Sequence, residues 1–265
     1  MLGAIIGDIV GSRFESGPAP QAGFELFTSD CGFTDDTVCT VAIADAILNR
    51  RDYAESLVDW CRRYSTPMKG GYGGMFFRWF LGDDHRPYGS YGNGSAMRVS
   101  AVGWLFDDID TVMEEARRSA EVTHNHEEGI RGAQCTATLI YWLRTVRITK
   151  NRLKKSVESK FGYEIPPLKD IMRIGALGHF DGTCQETVPA AIRCFLESES
   201  FEDTIRKAVL ADGDTDTKAA IAGSIAEAYY ELPDTIVNRA LEYLPNDMLD
   251  VVTAFCDKVT GGMEK

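Results

Sequence analysis

The chain has 265 residues, of which 44% are hydrophobic and 26% charged, the usage of an ordinary folded protein and not of a disordered one. Its 28 Lys+Arg against 40 Asp+Glu leave a net charge of −12, which argues against binding a nucleic-acid backbone or an anionic membrane surface, since both need a basic face. No apolar run approaches the ~18 residues of a membrane-spanning helix.

The N-terminal segment Met1-Leu2-Gly3-Ala4-Ile5-Ile6-Gly7-Asp8 lacks a basic leader and is interrupted by Asp8, so it does not read as a signal peptide. After Thr34-Asp35-Asp36, apolar residues recur at helical steps at Val38, Val41, Ala44 and Leu48. Two Gly-dense stretches follow, Gly70-Gly71-Tyr72-Gly73-Gly74 and Tyr88-Gly89-Ser90-Tyr91-Gly92-Asn93-Gly94-Ser95. Two readings of them stay open: tight turns between helices, or backbone brought close to an anionic ligand. The second runs into Ala96-Met97 and is expected to present amides at a helix N-terminus. Leu139, Trp142, Leu143 and Val146 mark another helix, and Arg144 to Lys169 is basic enough to predict a solvated face. Helical spacing returns at Ile192, Phe195 and Leu196, at Ile205, Val209 and Leu210, at Ile221, Ile225, Ala228 and Tyr229, and at Leu249, Val252 and Phe255. Alternation of period two is absent, so the pattern predicts an all-α protein of ten or more helices. The seven cysteines form no Cys-x-x-Cys pair and are expected to be free, mostly buried thiols in a reducing cytoplasm.

The chemistry concentrates in two acidic segments, Thr34-Asp35-Asp36-Thr37 and Asp212-Gly213-Asp214-Thr215-Asp216-Thr217, each opening a helix of small residues. One Asp or Thr there is explained by helix capping. Three Asp at alternate positions are not, because a cap needs one acceptor and the surplus charges repel. A cation shared between the segments resolves the repulsion, and hard oxygen ligands suit Mg2+, Mn2+ or Ca2+. An EF-hand is excluded: Thr217 stands where that loop needs Gly, and Gly223 where it needs Glu. Glu15 and Asp8 are candidates for further carboxylates. Ala219-Ala220-Ile221-Ala222-Gly223-Ser224 predicts a central helix closely approached by its neighbours, and convergence of the two segments predicts one domain. Of the four histidines only His124 and His126 are close in sequence, without zinc-ligand spacing; His124 is a candidate hydrogen-bonding partner for a sugar or phosphate.

Taken in order, Gly7-Asp8-x-x-Gly11-Ser12-x-x-Glu15, Phe33-Thr34-Asp35-Asp36-Thr37, Gly92-Asn93-Gly94-Ser95-Ala96-Met97-Arg98, Thr123-His124 and Gly213-Asp214-Thr215-Asp216-Thr217 resemble the motifs of the ADP-ribosylglycohydrolase family, which includes the dinitrogenase-reductase-activating glycohydrolase and the vertebrate ADP-ribosyl-acceptor hydrolases. The resemblance implies a single compact domain of orthogonally packed helices over residues 1–265 with a central binuclear metal cleft. It implies two divalent ions, Mg2+ or Mn2+, on Thr34, Asp35, Asp36, Asp214, Asp216 and Thr217. Glu15 is then the acid near the scissile ribose, with Glu15, Asp35 and Asp36 as catalytic candidates, while Gly92, Asn93, Gly94, Ser95 and His124 line the diphosphate and ribose groove. Asp212 departs from the family, which usually has Gly there, and adds charge beside the second segment. The implied reaction is release of ADP-ribose from an arginine, a serine or an ester, the partner being an ADP-ribosylated protein or a small ADP-ribose compound. Two competing readings are a two-metal phosphoester or diphosphate hydrolase and a non-catalytic ADP-ribose binder.

Overall fold

The computed structural model describes residues 1–15, 17, 19–146 and 148–263, so Arg147 of the basic stretch lies outside the described residues. Fifteen helices are formed among them, and the extended pairing is confined to an isolated antiparallel bridge between Gly92 and Thr183. The first five helices are α1 (Leu2–Gly11), α2 (Asp35–Asn49), α3 (Tyr53–Arg63), α4 (Gly74–Leu81) and α5 (Gly94–Met97). Next come α6 (Ser100–Leu105), α7 (Ile109–Glu121), α8 (Glu127–Thr145), α9 (Lys150–Phe161) and α10 (Leu168–Gly175). The last are α11 (Cys184–Leu196), α12 (Phe201–Leu210), α13 (Thr215–Glu227), α14 (Asp234–Leu241) and α15 (Asn246–Met263). The all-α expectation therefore holds. None of these helices is long and apolar enough to cross a membrane.

The centre of the fold is a close pairing of α1 with α13. Glycines recur every fourth residue along α1, at Gly3, Gly7 and Gly11, on one face of the helix. A Cβ on Gly3 would lie 2.2 Å from the Gly223 carbonyl oxygen, and one on Gly7 2.1 Å from that of Ala219. A Cβ on Gly11 would lie 2.6 Å from the Asp216 Cα. Backbone thus rests on backbone, with no side chain between. Ascending contacts on α1 meet descending positions on α13, so the two helices run antiparallel. At the far end Glu227 of α13 accepts the Gly3 amide at 2.9 Å and the Met1 amine at 2.6 Å, capping α1.

The small-residue helix expected to be central is α13, whose residues from Thr215 to Ala226 are all buried. Six cysteines are buried, Cys256 is half-buried, and all seven are free, as expected. The basic stretch is only partly a solvated face. Lys150 turns inward, its Nζ donating to the Phe195 carbonyl at 2.8 Å and the Tyr230 hydroxyl at 2.7 Å and lying 4.8 and 5.1 Å from the centroids of the Phe195 and Tyr230 rings, a cation–π arrangement.

Candidate active site

The antiparallel pairing brings the C-terminal end of α1 to the N-terminal end of α13. Glu15, four residues beyond α1, therefore meets Asp214 and Asp216. One carboxylate oxygen from each of these three residues lies within 4.8 Å of the others. Asp35, Asp36 and Thr217 line the same cleft, of about 560 Å³. The Thr217 hydroxyl donates to Asp36 Oδ2 at 3.1 Å, joining segments 181 residues apart in the chain.

Asp8 ties α1 to the start of α2. Its carboxylate accepts the Thr34 amide at 3.0 Å, the Thr34 hydroxyl at 2.8 Å, the Thr37 amide at 3.0 Å and the Thr37 hydroxyl. Four donors occupy its two oxygens, so Asp8 places the first acidic segment and leaves the open positions to others. Thr34 gives its proton to Asp8 and accepts the Asp36 amide at 3.1 Å as N-cap of α2, which leaves its hydroxyl one lone pair.

These acids are held against strong electrostatic resistance. Burial, then the charges of Asp214 and Asp8, raise Glu15 from 4.5 to about 7. Burial raises Asp8 to about 6, with the hydrogen bonds from Thr37 and Thr34 pulling the other way. Asp35 and Asp36 are pushed well above the carboxylate range by burial and then by Asp8, and Asp216 by burial and then by Asp214. The buried ammonium nearby, Lys218, is already engaged by Asp181 at 3.2 Å and the Asp212 carbonyl. Asp36 Oδ1 and Asp216 Oδ1 are buried with no hydrogen-bond partner. Orphaned carboxylate oxygens beside like charges are costly, and a divalent cation satisfies both defects at once. The donors are carboxylates and hydroxyls, so the set fits a hard ion such as Mg2+ or Mn2+.

The Gly-rich stretch forms the opposite wall, where Gly92, Asn93 and Gly94 line the cleft with His124. Asn93 Nδ2 donates to Asp214 Oδ2 at 2.7 Å and to the Thr187 hydroxyl at 3.0 Å, so this wall is braced on the acidic floor. The amides of the stretch are only partly free. That of Gly92 bonds the Ser90 hydroxyl at 3.2 Å and that of Asn93 the Gly182 carbonyl at 3.1 Å, so from Gly92 to Ser95 the amides of Gly94 and Ser95, at the start of α5, remain. The Ser95 side chain is buried and donates to the Gly129 carbonyl at 2.7 Å. The other Gly-rich stretch also reaches the site: Gly71, Gly73 and Gly74 line the cleft, and a Cβ on Gly70, at φ +60°, would lie 3.2 Å from Glu15 Oε2.

Of the two neighbouring histidines only His124 faces the cleft. His126 is the N-cap of α8, its Nδ1 accepting the Glu128 amide at 3.1 Å. Asp212 has φ +58° and its carboxylate accepts the Gly213 amide at 3.0 Å, so it shapes the turn that precedes Asp214. Sequence reasoning missed Asp181, which accepts the Asp214 amide at 3.3 Å, and its partner Lys218. It also missed Tyr88 and Phe180, which line the cleft. Gly178-His179-Phe180-Asp181-Gly182 carries about the Gly density of the Tyr88–Ser95 stretch, and that was the available signal.

A family model described as ADP-ribosylglycohydrolase matches residues 1–264. Among curated proteins, ADP-ribosylhydrolase ARH3 of Homo sapiens is 26% identical, covering 94% of this chain and 90% of its own. ADP-ribosylarginine hydrolase Tri1 of Pseudomonas putida (strain GB-1) is 25% identical over 87% of this chain and 69% of its own. A solved structure titled ADP-ribosylglycohydrolase-related protein complex superposes with a TM-score of 0.70 at 25% identity, covering 97% of both chains. With that match across nearly its whole length, the chain belongs to the ADP-ribosylglycohydrolase family.

Proposed function

We propose that the protein is a divalent-metal-dependent hydrolase that cleaves the bond between C1″ of ADP-ribose and its acceptor, an ADP-ribosylated side chain or an ADP-ribose ester, and releases ADP-ribose. The observation that carries this reading is the meeting of Glu15, Asp214 and Asp216 in one cleft with the Gly-rich wall and His124. Two ions would be held by Thr34, Asp35, Asp36, Asp214, Asp216 and Thr217, with Glu15 at their edge. When bound, such ions supply Lewis acidity and a charge template for the ribose hydroxyls. The protein's own residues do the remainder. Glu15, which meets Asp214 and Asp216 in the cleft, is the acid placed to take a proton from the attacking water as the acceptor departs. Asp35 and Asp36 stand beside it as further acids of the site. The Gly94 and Ser95 amides face the anionic diphosphate, an anion site within an acidic protein. Because the floor is assembled from both halves of the sequence, residues 1–265 are taken as a single functional unit, and seven free cysteines fit a reducing cytoplasm.

The test is product analysis on arginine-, serine- and acetyl-linked ADP-ribose, with and without EDTA. Intact ADP-ribose is expected as the product, lost on chelation, and lost in Asp36→Ala and Asp214→Ala while the fold persists. AMP plus ribose phosphate in its place would convert the reading to a diphosphate hydrolase.

A further inference from the structure

Arg98 is 1% exposed, and no carboxylate pairs with it among the described residues. Its Nη2 donates to the Ser119 carbonyl and to the Thr123 hydroxyl, each at 2.9 Å. The Thr123 oxygen in turn lies 2.7 Å from His124 Nδ1. These three residues form a buried relay, of which Arg98 and His124 both line the cleft. A guanidinium has donors only, so the Thr123 oxygen must accept from Arg98. A threonine hydroxyl has one proton, and the acceptor within its reach among the described residues is His124 Nδ1. With Nδ1 accepting, the proton of the uncharged ring sits on Nε2. The opposite tautomer would direct two N–H donors at one hydroxyl and leave its own proton without an acceptor.

Nε2 is the atom that faces the cleft. A Cβ on Gly94 would come within 3.2 Å of it and one on Gly92 within 3.6 Å, so the two glycines leave that side of the ring clear. No described residue accepts a bond from Nε2, although His124 is only 5% exposed.

We propose that Arg98 and Thr123 are positioning residues that hold His124 in its Nε2–H tautomer, so that it donates a hydrogen bond to an oxygen of the ADP-ribose in this cleft. The ligand half of this assignment rests on the function proposed above; the tautomer half does not. Burial and the nearby Arg98 also push the His124 pKa well below the usual value, which keeps the ring neutral. A neutral donor suits an oxygen acceptor beside clustered carboxylates, where an imidazolium would be drawn toward the acids.

Protein labelled with 15N-histidine, read by long-range proton–nitrogen correlation, reports which ring nitrogen is protonated, with His124→Gln assigning the signal. The wild type should show Nε2–H, shifting when ADP-ribose is added. A shift reproduced by inorganic diphosphate identifies a phosphate oxygen as the acceptor, and one produced by ADP-ribose alone a ribose oxygen. The isosteric Thr123→Val should lose the fixed tautomer and bind ADP-ribose about tenfold more weakly, and Thr123→Ser should restore both. A wild-type proton on Nδ1 overturns the proposal on its own, and so does a Thr123→Val protein that keeps both Nε2–H and wild-type affinity. Absence of any ADP-ribose binding by a wild type that does show Nε2–H overturns the ligand half and the functional reading together, while the relay stands.

Discussion

Two acids from the same N-terminal segment do opposite jobs. Asp8 is fully buried, its Oδ2 taking three donors and its Oδ1 one, all from Thr34 and Thr37, whereas Glu15 is half-buried and shares its surroundings with Asp214 and Asp216. Four donors tie Asp8 to the start of α2, whereas Glu15 faces the cleft, so the difference in hydrogen bonding decides their roles. Glu15→Gln keeps the shape and removes the base. Its kcat should fall by about 10²–10⁴ with KM little changed. Steady-state kinetics on the best substrate of the linkage panel checks this, and unchanged kcat would remove Glu15 from the chemistry. Both acids were visible as candidates in the sequence. Which one stays open was not, because the answer depends on hydroxyls 26 and 29 residues away that fold back onto Asp8.

At the scale of elements, the crossing of α1 on α13 sets the width of the site floor. Gly→Ala inside a helix ordinarily stabilises by about 1 kcal/mol. At Gly7 the new Cβ would lie 2.1 Å from the Ala219 carbonyl oxygen, and a backbone atom cannot rotate away. Overpacking of this kind costs about 1–3 kcal/mol or more, so the clash outweighs the helix propensity. Gly7→Ala should lower the melting temperature by several degrees and separate Glu15 from Asp214, weakening metal binding as read by calorimetry. Gly261→Ala in α15, whose Cβ meets nothing within 4 Å, is the control and should be neutral or slightly stabilising. A Gly7→Ala protein as stable as Gly261→Ala would show that α1 can slide on α13 without penalty. The small-residue run predicted the close approach to α13. The matching glycines on α1 stood four apart in the N-terminal segment, and an i, i+4 repeat was the sign that they face one partner.

For the whole molecule, the acidic cluster stores an instability that depends on pH. Asp8 rises from 3.8 to about 6 and Glu15 from 4.5 to about 7 on folding, so the folded chain holds more protons than the unfolded one across that interval. Their favourable contribution is therefore complete below about pH 4 and is lost as pH rises through about 6 and 7. Asp35, Asp36 and Asp216 shift in the same direction. In the presence of EDTA the melting temperature should fall as pH rises from about 5 to about 8, the interval around the raised values of about 6 for Asp8 and about 7 for Glu15. Saturating Mg2+ or Mn2+ should raise it more at the alkaline end, because ions bind the ionised acids. Scanning calorimetry across that range checks both slopes, and equal stabilisation by metal at both ends would contradict the clustering.

The amino-acid sequence by itself determined the helical architecture, the two acidic segments and the order of motifs that resemble one family. These are local properties: helical spacing, helix starts and glycine density need no knowledge of distant neighbours. Tertiary structure alone decided that Asp8 is occupied and Glu15 open, that Asp181 and Lys218 brace the turn before Asp214, and that Arg98 reaches His124 through Thr123. Each of those facts is a contact between residues far apart in the chain or on different elements, and spacing along a chain carries no information about which side chain a folded neighbour will meet.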